Sequence, residues 1–215
     1  MNAYTAGKRW KIEKRLRIME TGFRLFSERG IVQVTMPEVA EASGISRATL
    51  FRYFSSKLEL VYSIAIWKWE NYLAARGNLV NDAVLDKLTG AEYMKVYLDA
   101  FLDLYHNHTD ILCFNYEFNS YLRNEQTEQG QGQAYTGMIE KLFESFHRLY
   151  EKGRRDGTIN TAIPEETMFS GSLHIMLAAA TRYAVGLVYV SDRTAPEQEL
   201  IMLENMLLRE YTREA

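Results

Sequence analysis

Residues 35–57 read TMPEVAEASGISRATLFRYFSSK, and their second half crowds Arg47, Thr49, Arg52, Tyr53 and Lys57 into eleven positions. These are side chains that read and grip nucleic acid. Arg47 can pair bidentately with O6 and N7 of a guanine, and Ala48 is small enough for close approach to a thymine methyl. Thr49 suits a base edge or a phosphate, and Arg52 suits either. Tyr53, Lys57 and the capping end at Thr35 suit phosphate oxygens, which fix register without carrying sequence information. Any one of them, alone, is an ordinary solvated polar residue; the set in one short frame points to a shared task.

Three helices must position that set. The first is expected over 9–29, where Ile12, Leu16, Met19, Phe23 and Phe26 recur at helical spacing and Gly30 supplies a stop. Thr35 is placed as N-cap of a second, short helix, with Pro37 in its first turn and Glu38 at its positive end. Val39 and Ala40 face inward, and Gly44 takes the left-handed conformation that ends the helix. Ser46 caps a third helix over 46–55, stapled by Ile45 and Leu50, with Leu50 and Phe54 as its inward anchors. Ser56-Lys57-Leu58-Glu59 has the form of a capping box opening a fourth helix through about residue 76. Two helices about a glycine turn make a helix-turn-helix, whose second helix enters the major groove while the first crosses the backbone.

Beyond Gly77 helices are expected near 91–106, 109–123, 134–153, 164–190 and 196–211. The Gln-rich piece 124–133 reads as a mobile loop whose GxG fragment is too weak for a phosphate cradle. Residues 153–164 form a second connection, and Thr194 and Pro196 start the last helix. The fold class is therefore all-α, with a three-helix helix-turn-helix domain over 1–56 and a larger helical domain over 57–215, of which 57–76 is the connecting helix.

Composition agrees with that division. The 215 residues are 47% hydrophobic with 3 prolines, and the net charge of −3 hides a basic head on an acidic body. Through residue 57 there are 11 Lys/Arg against 5 Asp/Glu, a net +6, and 14 against 23 beyond it, a net −9. The single cysteine, Cys113, forms no internal disulfide and reads as a small buried apolar residue of a protein in the reducing cytoplasm. The N-terminal segment lacks the apolar run of a signal peptide, and the apolar stretch from Leu173 is broken by His174 and Arg182, so it reads as an interface helix with no membrane role.

The stretch SERGIVQVTMPEVAEASGISRATLFRYFSSKLELV, residues 27–61, resembles the DNA-binding domain of the TetR family of transcriptional regulators, with Phe26, Gly30, Thr35, Ala40, Gly44, Leu50, Phe54 and Lys57 where that pattern expects them. The resemblance covers about the first 65 residues. It implies an all-α homodimer, with 1–56 as DNA-binding domain and 57–215 as ligand-binding and dimerisation domain, that binds a palindromic operator, represses transcription and is released by a small molecule. Carried over by position, Thr35, Arg47, Thr49, Tyr53 and Lys57 contact DNA. Phe51 stands where the family often has tyrosine, and Pro37 where some members place an arginine.

For the body, tyrosines and phenylalanines at 93, 97, 101 and 105 share one expected helical face, continued by Phe114, Phe118 and Tyr121. Packed core is the plainer reading. A pocket for a small apolar or aromatic effector is the sharper one, lined by Tyr97, Phe101, Tyr105, Phe114, Phe118 and Tyr121, with His147 and His174 as polar groups or as satisfied core histidines. Dimer contacts are expected through about 164–190 and 196–211, where Gly171, Ala178, Ala179 and Gly186 permit close helix approach. His106 and His108 diverge on a helix, and no HExxH, CxxC or recoverable triad accompanies them, so neither metal, cofactor nor catalytic residue is expected. A constitutive DNA-binding protein without a ligand is the alternative, and a helical enzyme a distant third.

Overall fold

A computed structural model describes residues 3–79, 82–124, 132–186 and 195–213. Its helices are α1 Ala3–Arg29, α2 Met36–Ala42, α3 Arg47–Tyr53, α4 Lys57–Leu79, α5 Asp82–Leu85, α6 Gly90–Asn107, α7 Thr109–Asn124, α8 Gln133–Asp156, α9 Glu165–Ser172, α10 Ala178–Val185 and α11 Pro196–Tyr211. Among the described residues there is no β-sheet, only an isolated bridge between Ile159 and Thr212. No described helix is long and apolar enough to cross a membrane. The all-α reading stands.

The chain divides into two compact units, one built on residues up to Glu70 with Phe114–Tyr135, the other on Asn71–Cys113 with residues from Thr136 onward. Residues 1–56 fall within the first unit. In that unit Ile18 and Phe26 of α1, Leu50 and Phe54 of the α3 region, and Leu60 and Ile64 of α4 are fully buried. Part of α7 joins this core: Phe114 packs on Phe23 at 5.4 Å and stacks with Phe118 at 6.2 Å. Gly30, at φ +82°, turns the chain out of α1, and the Ile31 amide then donates to the Glu117 carboxylate at 3.2 Å.

The second unit packs α6 against α10 and α11 around Met94, Leu98, Leu104, Met176 and Leu200. Where α6 starts, Gly90 lies against Gly153 of α8, so closely that a Cβ on Gly90 would stand 2.1 Å from the Gly153 Cα. Glu204 of α11, buried, accepts from Lys95 at 3.2 Å, and burial raises its pKa. The end of α4 is tied to α6: the Tyr72 hydroxyl bonds the Ala100 carbonyl at 2.8 Å and Asp103 at 3.0 Å, and Arg76 donates to the Val96 carbonyl at 3.1 Å.

Several local expectations change. The uninterrupted helix expected over 164–190 is α9, a π-helical turn Leu173–Leu177 and α10; residues 187–190 lie outside those described. A π turn widens the helix by one residue per hydrogen-bonded ring and rotates everything after it, which periodicity at 3.6 does not foresee. Glu59 reaches the amide and hydroxyl of Ser55, both at 2.7 Å, rather than closing the box on Ser56, although the Glu59 amide does donate to Ser56 at 3.1 Å. Thr194 and most of the Gln-rich loop lie outside the described residues. Cys113 is half-buried, its Sγ 3.6 Å from the Ala184 carbonyl.

Candidate nucleic-acid interface

The α2–α3 corner is fixed by local chemistry. The backbone at Thr35 is extended, its Oγ1 accepts from the Glu38 amide at 3.4 Å, and the Glu38 carboxylate accepts from the Thr35 amide at 2.7 Å, a reciprocal capping box. Arg29 adds a 2.6 Å bond to the same carboxylate. The Thr35 backbone bond, then Arg29, hold the Glu38 pKa down to about 2, so the group is ionised at the positive end of α2. Gly44 leaves the helix at φ +65°, and Ser46 starts α3 by accepting from the Thr49 amide at 3.2 Å.

This corner orients α3. Leu50 and Phe54 are 0% exposed and anchor the helix, which turns Arg47, Ala48, Phe51 and Arg52 to the surface and leaves Thr49 and Tyr53 half-buried. Between the starts of α2 and α3 runs an open groove of about 640 Å³ lined by Thr35, Pro37, Glu38, Ala40, Glu41, Ile45, Ser46 and Arg47. The ionised Glu38 already complements the positive end of α2, so the positive groups left uncompensated at the groove are the start of α3 and Arg47. Arg47 and Arg52 make no hydrogen bond or ion pair with any described residue, whereas the Thr49 hydroxyl bonds Ser46 at 3.0 Å. Lys57 is partly committed within the unit: its Nζ donates to the Val32 carbonyl at 3.3 Å and stands 5.5 Å from the centre of the Tyr121 ring.

Two residues here were not singled out for the interface. Phe51, 49% exposed, follows the buried Leu50 by 100° of helix and so stands at the same surface as Arg47 and Arg52. Arg15 of α1 is buttress rather than reader: it donates to the Tyr53 carbonyl at 3.0 Å and to Ser63 at 3.0 Å, with its guanidinium 4.2 Å from the Phe54 ring centre. A cation on the last carbonyls of α3 complements that helix end.

The expected effector residues divide between the two units. Phe114, Phe118 and Tyr121 belong to the first unit, where Phe118 lies 5.0 Å from Tyr135 and 5.5 Å from Tyr62. Burial pushes the Tyr135 hydroxyl up to about 12. Tyr97, Phe101 and Tyr105 belong to the second unit, but the face they were expected to share winds around α6. A spacing of four residues advances about 400°, so each step drifts 40° and Tyr93 and Tyr105 end about 120° apart. Tyr93 lines a surface groove with His147, Tyr97 packs on Phe101 at 5.6 Å and Phe146 at 5.0 Å, and Tyr105 meets Tyr183 at 6.4 Å. His147 is exposed and bonded to Glu165 at 3.0 Å, which raises its pKa, and His174 is exposed on the π turn, so neither is a core histidine. The Tyr97 hydroxyl is the exception among the described tyrosines: it is buried and meets no hydrogen-bond partner among the described residues, while neighbouring Ser172 donates to the Met168 carbonyl at 2.8 Å. Burial raises its pKa. His106 pairs with Glu197 at 3.3 Å and His108 packs on Tyr72; no group of three or more metal-ligating side chains is found among the described residues.

Residues 18–64 match the family model described as bacterial regulatory proteins, tetR family. An HTH-type transcriptional regulator of Staphylococcus aureus strain MRSA252 is 30% identical over 144 residues, 67% of this chain and 75% of that protein. In solved structures, the transcriptional regulator FadR from Bacillus subtilis, in complex with stearoyl-CoA, superposes with a TM-score of 0.68 at 13% identity, over 91% of this chain and 98% of that one. A transcriptional regulator from Saccharomonospora viridis in complex with choline gives 0.74 at 13% identity, over 94% and 99%. These structural likenesses concern the fold.

Proposed function

We propose that this chain, which belongs to the TetR family of bacterial transcriptional regulators, is a cytoplasmic, ligand-responsive repressor that binds a palindromic operator as a homodimer and leaves it when a small molecule binds. The observation that carries the DNA half is the division of α3: two fully buried anchors, and Arg47 and Arg52 exposed with no hydrogen-bond or ion-pair partner among the described residues. Arg47 reads a base edge, Ala48 and Phe51 meet methyl groups, Thr35, Ser46, Thr49, Tyr53 and Lys57 hold phosphates, and Arg52 serves either purpose. Pro37 lines the groove but brings no donor, so base reading falls to α3.

The effector half rests on Tyr97. An orphaned buried hydroxyl costs about 1–3 kcal/mol, a debt that a ligand's polar group can cancel. Tyr97 with Phe101 on α6, and Phe146 on α8, supply the apolar wall of such a site. The relatives' ligands, stearoyl-CoA and choline, differ so widely that the effector class is set by this wall rather than by the fold. The same helix α6 is bonded to the end of α4 through Tyr72 and Arg76, and α4 runs back to Lys57 beside α3. A shift of α6 on ligand binding therefore moves the spacing of two heads that must meet half-sites about 34–36 Å apart. Driving the population from 1:99 to 99:1 takes about 5.5 kcal/mol of differential ligand affinity.

The two-fold partner is a second copy, seated on the exposed apolar residues of the last helices: Ile175 and Val185, with Ile201, Met202 and Met206 of α11. His174, exposed beside Ile175, belongs to that surface in this reading and not to the pocket. Selection on random duplexes with the whole chain tests the proposal. A palindrome should emerge, and a compound that raises the melting temperature should release it; unsymmetrical or featureless selected sequences would leave the constitutive DNA-binder in its place.

A further inference from the structure

The positive charge of the head is not where the helix-turn-helix is. Lys8, Arg9, Lys11, Lys14, Arg15 and Arg17 face Glu13 alone, a net +5 over residues 8–17. Residues 18–57, with five cations against four anions, carry only +1. The basic segment also precedes the family match, which begins at residue 18.

The segment is the first part of α1, and it stands clear of the unit's core: residues 7–13 are exposed on every side, with Trp10 at 55% and Ile12 at 52%. Its orientation follows from helical spacing. The stripe that buries Phe26, Gly22 and Met19 continues N-terminally through Arg15, Lys11 and Lys8, all within about 80° of arc at 100° per residue. Where that stripe has a core beneath it, it is apolar; beyond the core it turns cationic. The switch occurs at Arg15, which holds the Tyr53 carbonyl at the C-terminal end of α3. Lys8 lies about 10 Å of helix further on. The overhang therefore carries Lys8 and Lys11 past the end of the reading helix, on the side from which α3 is presented. Neither lysine has a hydrogen bond or ion pair within the described chain.

We propose that the overhanging turns of α1 are a second DNA contact, a phosphate clamp in which Lys8 and Lys11 grip the backbone flanking the bases read by α3. This rests on the reading of α3 as the DNA-reading helix. Phosphates recur every 3.4 Å of duplex axis on each strand, so an overhang of about 10 Å passes one to three of them, depending on its angle to that axis, and a helix terminating beside a groove-bound α3 meets the groove's phosphate wall. The contact is blind to sequence and supplies the electrostatic attraction that residues 18–57, at +1, lack.

The test is Lys8→Gln/Lys11→Gln in the full chain, titrated across salt concentrations with a duplex recovered by selection and with a random-sequence duplex. If each lysine neutralises one phosphate, the slope of log affinity against log salt falls by about 1.8, and both duplexes weaken by the same factor. Lys8→Arg/Lys11→Arg restores the slope. Both positions are solvent-exposed, and an unchanged circular-dichroism melt accompanies the loss. A Gln variant with the wild-type slope overturns the proposal alone, provided Arg47→Ala still weakens the selected duplex. A wild-type chain that binds no duplex overturns the reading of α3 as well. Lysine-dependent binding to phosphatidylserine vesicles with an unchanged DNA slope assigns the segment to a membrane surface and overturns the proposal too.

Discussion

Replacing Gly153 by alanine sets two opposing effects against each other. Gly153 lies inside α8, so the substitution gains about 1 kcal/mol of helix propensity. The new Cβ, however, would stand 1.9 Å from Cγ1 and 2.8 Å from Cβ of Ile159. Ile159 is 2% exposed, its amide donates to the Gly153 carbonyl at 3.2 Å, and it is bridged to Thr212 after α11, so it cannot move aside without disturbing both contacts. Overpacking of this kind costs about 1–3 kcal/mol and occasionally more. A clash with a branch-point carbon belongs at the upper end, leaving a net loss of about 2 kcal/mol, or about 4–8 °C in melting temperature for a chain of this size. Ile159→Ala alone should cost about 2–5 kcal/mol through its cavity, but less in the Gly153→Ala background, where the Cγ1 clash is gone and the new methyl fills part of the space, so the double-mutant cycle should show favourable coupling of about 2–3 kcal/mol. Thermal and urea melts of the four proteins measure this. A Gly153→Ala protein that melts higher than wild type would mean that propensity alone acts at this site, and the close passage of α8 against its own connection to α9 would be wrong.

Four further outcomes follow from the same bonds. Glu38 has its folded pKa depressed from 4.5 to about 2, so its contribution is complete above about pH 4.5 and is lost as pH falls toward 2; the gap in melting temperature between wild type and Glu38→Gln should close over that window, and a gap constant with pH would contradict the capping geometry. Arg47→Ala should weaken the selected duplex by about 1–3 kcal/mol and relax one base position with an unchanged melt, whereas Lys57→Ala should weaken all duplexes alike and also lower the melt, because the Val32 carbonyl loses its donor. Tyr97→Phe removes an unsatisfied hydroxyl and should stabilise the chain by about 1 kcal/mol while blunting release by effector, seen in melts and in DNA-release titrations. Met202→Asp/Met206→Asp, at positions 54% and 57% exposed, should yield monomers in sedimentation with the helical content kept.

The parts legible in the sequence are those whose chemistry is local. The Thr35 cap, the Ser46 cap and the glycines at 30 and 44 each depend on residues within four positions and take the expected geometry, and Glu38, expected only as a charge at the helix end, also closes a reciprocal box with Thr35. What escaped depends on partners far along the chain or on small deviations that accumulate. The aromatic row on α6 drifts by 40° per step and so serves three environments. The π turn at Leu173–Leu177 shifts the phase of α10. The contact of Gly90 with Gly153 joins residues 63 positions apart, and the orphaned Tyr97 hydroxyl is defined by which side chains from α8 and α9 close over it. Exposure of His147 and His174 likewise follows from which helix faces pack, which no single segment encodes.

The cations of the head sort by whether the fold already uses them. Arg15 is bonded to the end of α3, Arg29 to Glu38, Arg24 to Glu28, and Lys57 to the carbonyl of Val32. Desolvating any of these against DNA would first break an internal bond, so much of the phosphate attraction is offset by what is lost. Arg47, Arg52, Lys8, Lys11 and Arg17 have no such bond among the described residues, and the Coulomb attraction of each is available to a polyanion. Two of these cations lie on α3 and three on the first half of α1, which under the proposed reading gives the head a reading face and a separate gripping face. In that proposal sequence reading rests with α3, where a mistake costs specificity, and salt-dependent affinity rests with the overhanging turns of α1, which can be neutralised without disturbing the reader.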